Sequence, residues 1–305
     1  MLFKLKLFVS TPIIIGVVFF LASCSSGGNK NNSKEIAIDS ADLERDIFAD
    51  ISHAKQIFYS LPSPLESAMM IKSSGASFSE KLLNPLTNVN KYTTNRSMAV
   101  NMGVYITDLS YASLFDQAQT TIKYMEASKK LADGLGITDA IDKSTIDRLE
   151  ENINNRDIIL DIISETFMST TAFLKDNDRQ PLATVSLIGG WIEGLYLATQ
   201  LAGDGPLTGN KIVDRIVDQK LSLEMVIKLM ESNKDNSDIQ NISIQINELK
   251  KVYDKITIKS SKIQPVVDEK TKVTTLKSTS SSDVTSEVFN ELKQTVKTVR
   301  NNFTL

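Results

Sequence analysis

Two carboxylates stand out because of what surrounds them. Asp108 lies within Tyr105-Ile106-Thr107-Asp108-Leu109-Ser110-Tyr111-Ala112, and Glu193 within Gly189-Gly190-Trp191-Ile192-Glu193-Gly194-Leu195-Tyr196. Each is the lone charge of an apolar segment with helical character. A carboxylate in such a setting is costly unless it is paired, hydrogen-bonded or protonated, and such groups are enriched at functional sites. Two of them meeting across a core can hold a cation or work as general acid and base. The plainer reading is preferred: an ion pair with Lys123, Arg156 or Arg179, or a carboxylate at a wet rim.

The remaining chemical candidates are aromatic. Trp191, Tyr196, Tyr105 and Tyr111 have the ring surface to line a groove for a sugar or a peptide, though core packing explains the same spacing. Asp157 and Asp161, four apart, fit either a shared metal or a solvated helix face, and no metal site is expected. His53 sits beside an apolar stripe, as a surface histidine does. One His, one Cys and one Trp leave little material for a zinc site or a histidine-dependent catalyst. Gly189-Gly190, Gly203 and Gly205 do not match a nucleotide fingerprint. A net charge of −3 without a basic stripe argues against nucleic acid as a partner. The chain is therefore expected to be neither an enzyme nor the holder of a cofactor.

The elements that carry these residues read as helices. Leu43, Ile47, Ile51, Ala54, Phe58 and Leu61 recur at three and four, a single stripe facing a core. Ser63-Pro64-Leu65-Glu66 supplies a cap, a proline at the first helical position and Glu at the third, predicting a second helix that stops near Gly75. Asn84-Pro85 through Asn90 is loop chemistry. Further helices are predicted from about Thr94, through Ile122 and Leu131 to Gly134 or Gly136, from Ser144, and through Ile158 to Phe173. Ala183–Ala202 is the least polar stretch of the body and reads as a buried core helix. Two more follow, through Ile212–Met230 and Ile242–Ile256. Residues 261–282 read as a linker or a small hairpin, and Val284, Val288, Leu292, Val296, Val299 and Phe303 mark a final amphipathic helix over 283–305. The fold class is all-α: antiparallel helical hairpins packed as a bundle or as a short array like tetratricopeptide repeats, with residues 39–260 as its main domain.

An internal echo suggests duplication. Tyr105 to Ser113 and Trp191 to Thr199 share the pattern aromatic-Ile-x-x-Leu-x-large-Ala-Ser/Thr, 86 positions apart. A chance likeness between two buried helices is the alternative.

The amino-terminal stretch decides where such a body would work. Lys4 and Lys6 precede an apolar run from Ile13 to Ala22, which is closed by Leu21-Ala22-Ser23-Cys24. A basic start, a short apolar core and small residues at the boundary mark an export signal over 1–23. The tetrapeptide resembles the lipobox of bacterial lipoproteins, in which the cysteine becomes the lipid-bearing first residue. Acyl chains there would each gain about 0.8 kcal/mol per buried methylene. Residues 24–38, rich in Ser, Gly, Asn and Lys, read as a flexible tether. The resemblance implies a membrane anchor through Cys24, a place on the outer membrane facing the periplasm, and a protein or glycan partner in the envelope. The two echo segments, with Asn84-Pro85 and Asn155-Arg156-Asp157, also resemble a family of uncharacterised bacterial lipoproteins, which implies an exported helical body and assigns no catalytic residue.

Overall fold

The computed structural model describes residues 62–203, 205–260, 264–267, 274–277 and 280–305. The export signal, Cys24, the tether, His53 and the stripe from Leu43 to Leu61 lie outside the described residues. The body is all-α. Its helices are α1 (Pro64–Ser73), α2 (Asn95–Leu114), α3 (Ala118–Gly134), α4 (Lys143–Glu151), α5 (Arg156–Asp176), α6 (Gln180–Leu201), α7 (Lys211–Glu231), α8 (Ser237–Tyr253) and α9 (Ser286–Thr304).

Local signals account for most of the boundaries. Ser63 and Glu66 form a reciprocal capping box at α1, with Pro64 at the first helical position, which satisfies amides that a helix start leaves unpaired. Thr94 and Ser97 do the same for α2. Helix α3 ends in a turn at Gly136, whose φ of 69° lies in the left-handed region that glycine enters without strain. Between α8 and α9 the chain makes a small antiparallel excursion. Strand β1 (Ile258–Ser260) pairs with β4 (Ser280–Ser282), and β2 (Gln264–Val267) pairs with β3 (Thr274–Lys277).

Two helices form the centre. Every residue of α2 from Met98 to Leu114 is buried, and α6 is buried over nearly all of its length. A helix apolar on every side belongs inside a protein. Among the described residues α6 is the one helix long and apolar enough to cross a membrane, yet it is buried within the protein over nearly all of its length. The pair packs backbone to backbone. A Cβ added at Gly103 would stand 1.9 Å from the Ser186 carbonyl oxygen, and one at Gly189 would stand 2.1 Å from that of Val100. Glycine here serves close approach, which offsets its poor helix propensity of about 1 kcal/mol.

The two contacts are exchanged by the echo, since a shift of 86 positions carries Val100 to Ser186 and Gly103 to Gly189. About one turn further along both helices Asp108 meets Glu193, so α2 and α6 run in the same direction as a pseudo-symmetric pair. Six other helices surround this pair: α1, α5 and α9 touch both members, α3 covers α2, and α7 and α8 cover α6, while α4 packs on α3 and α5. The arrangement is a bundle around a central pair, not a row of stacked repeats. The sequence sets residues 283–305 apart, but packing joins α9 to the body through Phe289, Leu292, Val296, Val299 and Phe303, all buried.

Candidate functional site

Asp108 and Glu193, each 0% exposed, are brought together where α2 and α6 pass. The cation that joins them is none of those the sequence suggested. Arg156 pairs with Asp116 at the surface, Arg179 donates to the Leu135 carbonyl oxygen, and Lys123 has no contact with either carboxylate. Instead α9 delivers Arg300. Its Nε donates to Glu193 Oε2 at 2.9 Å and its Nη2 to Oε1 at 3.2 Å, a two-pronged contact that suits a planar guanidinium. The guanidinium carbon lies 4.7 Å from the centre of the Tyr196 ring, within cation–π range. Burial works against the charge on Arg300, but Glu193 and Asp108 outweigh it and hold the guanidinium above its ordinary pKa.

Asp108 is the odd member. Its Oδ2 accepts one hydrogen bond, from the Asn84 amide at 2.9 Å, and its buried Oδ1 has no donor. Burial, then the neighbouring Glu193, pushes its pKa well above the usual carboxylate range, against the opposing pull of Arg300. One guanidinium neutralises one carboxylate, and an uncompensated second charge in this interior would cost several kcal/mol. The arrangement is electrically balanced when Asp108 carries a proton.

Around the charges lies a polar network that the sequence did not reveal. Asn84 is fully buried although it stands in what reads as loop. Besides serving Asp108, it donates to the Tyr92 hydroxyl and takes part with Asn88 and Asn101. Tyr124 donates to its carbonyl oxygen at 2.8 Å. The same group closes the end of α9: Asn101 Nδ2 donates to the Phe303 carbonyl at 2.7 Å and the Tyr92 hydroxyl to that of Thr304 at 3.1 Å. Carbonyls at a helix C-terminus have no partner within the helix; here they are satisfied from α2 and the preceding loop.

Among the described residues the aromatic candidates line no open groove. Trp191 is 2% exposed and donates its indole N–H to Gln219 Oε1 at 3.0 Å. Tyr105 is buried and donates to the Pro85 carbonyl. Tyr111 is buried too, bonded to Ser77 and Ser79 and stacked on Phe78 at 5.1 Å. The ring of Tyr196 is half-buried beneath Arg300. The spacing of these aromatics is that of a core. Asp157 and Asp161 lie on the exposed face of α5, and no group of three metal-capable side chains occurs among the described residues.

Open space is found elsewhere. A groove of about 700 Å³ runs between the start of α1 and α5, lined by Pro64, Leu65, Phe167, Met168, Lys175 and Leu187 among others. No protein-family model, curated protein or solved structure matches this chain.

Proposed function

We propose that this protein is a lipid-anchored, non-enzymatic component of a bacterial cell envelope, whose helical body binds or scaffolds a partner there. The observation that carries the reading is the leader ending in Leu21-Ala22-Ser23-Cys24, with Cys24 the single cysteine of the chain. A lipid on that residue would tether the body at the outer membrane on its periplasmic side. The non-enzymatic part is supported by the burial of the carboxylate pair, because general acid–base work needs a substrate within hydrogen-bond reach. Both carboxyl groups are 0% exposed and one is engaged by Arg300. The groove between α1 and α5, where Met168 is 58% exposed, has the size and apolar lining to take a peptide or an acyl segment.

Mass spectrometry of the mature amino terminus from envelopes tests the anchor. The expected species begins at Cys24 with a thioether-linked diacylglycerol, and Cys24→Ser abolishes both the lipid and the envelope association. A free thiol, or a chain retaining residues 1–23, would overturn the reading.

A further inference from the structure

We propose that the folded protein carries a structural proton between Asp108 and Glu193, forming a proton-dependent clasp that seats the C-terminal helix α9 on the central pair. Geometry carries the argument. Two carboxyl groups from α2 and α6 share a single guanidinium from α9, and Arg300 makes both of its short contacts with Glu193. Asp108 has one amide donor on Oδ2 and none on Oδ1, too few for a buried anion, which is stable only when paired or fully hydrogen-bonded. A protonated Asp108 becomes a donor beside Glu193, so the clasp holds two carboxyls, one cation and one proton, with no net charge. Facing Asp108 are Glu193 and Tyr196 from α6, Arg300 from α9 and Tyr124 from α3, with Tyr105 and Tyr111 on its own helix. Tyr105, Tyr111, Tyr124 and Tyr196 are raised by burial and stay neutral, so Arg300 is the single cation among them.

The direction of the pH effect follows from linkage. The folded value of Asp108 lies above its unfolded value, so between the two the folded protein holds a proton that the unfolded chain has released. The clasp contributes fully below the ordinary carboxylate range, and its contribution is lost as pH rises toward and through the folded value. Within that window the unfolding constant rises by up to about tenfold per pH unit.

Urea unfolding of the full chain, followed by the fluorescence of the single tryptophan Trp191 from pH 5 to 9, tests the clasp. The comparison is with Asp108→Asn, which keeps the acceptor for the Asn84 amide and presents a permanent N–H donor to Glu193. The expected result is that the stability difference, variant minus wild type, grows with pH across the window. Parallel pH profiles would overturn the proposal. An independent readout needs no variant: infrared spectra of the folded wild type at the acidic end of that pH series should contain the carbonyl band of a buried protonated carboxylic acid, lost on unfolding. Absence of that band would equally sink it.

Discussion

The Glu193–Arg300 pair sets opposing terms against each other: attraction at 2.9 Å and the desolvation of two ions. Such pairs often add little net stability compared with apolar replacements, whereas removing one partner strands a buried charge. Arg300→Met is therefore expected to cost about 3–5 kcal/mol, and adding Glu193→Gln to it should recover most of that loss because no unpaired ion remains. Urea midpoints of the single and double variants check this; an equal loss in both would mean that Arg300 matters through packing alone. The signal that marks Asp108 and Glu193 also marks Arg300, a lone charge among the stripe positions Val296, Val299 and Phe303. It is easily passed over when a stripe is read only from its apolar members.

At the scale of elements, the α2–α6 pair rests on the absence of side-chain atoms. Gly103→Ala would push a methyl group to 1.9 Å from the Ser186 carbonyl, and neither backbone can yield without parting two helices buried along most of their length. Overpacking of this kind costs roughly 1–3 kcal/mol or more, which exceeds the gain of about 1 kcal/mol in helix propensity. A fitting control is Gly134→Ala, whose new atom would meet only the flexible end of Met98. The first variant should lower the thermal midpoint clearly, and the second should leave it near wild type. Like effects would refute the backbone-tight crossing.

Much of this level is legible in the sequence. Ser63-Pro64-Leu65-Glu66, the caps at Thr94 and Gly136, and the largely apolar composition of α6 are all local signals, and the glycines of that helix call for a close neighbour. The role of Asn84 is not legible in this way. Its partners include Tyr92, Asn101, Asp108 and Tyr124, and a loop residue becomes buried only through such contacts, which leave no periodicity to read.

For the body as a whole, stability depends on contacts that join distant parts of the chain. Helix α9 fills a face of the core made by α2, α6 and α8, supplies the only guanidinium in contact with Glu193 among the described residues, and has its last carbonyls bonded by Tyr92 and Asn101. Among the described residues of the excursion before it, β2 and β3 pair only with each other, and Ser260 already stands opposite Ser280 in the β1–β4 ladder. Joining those two residues through Asn-Gly in place of 261–279 completes a two-residue hairpin. That chain is expected to unfold cooperatively, with stability within about 1 kcal/mol of wild type. Deleting 283–305 instead leaves the Glu193 charge unpaired and uncovers apolar side chains of α6 and α8. The expected outcome is a non-cooperative transition with Trp191 emission shifted to longer wavelength. Should the truncated chain unfold as sharply as the full one, α9 would be an appendage and the clasp would have no part in holding the bundle together.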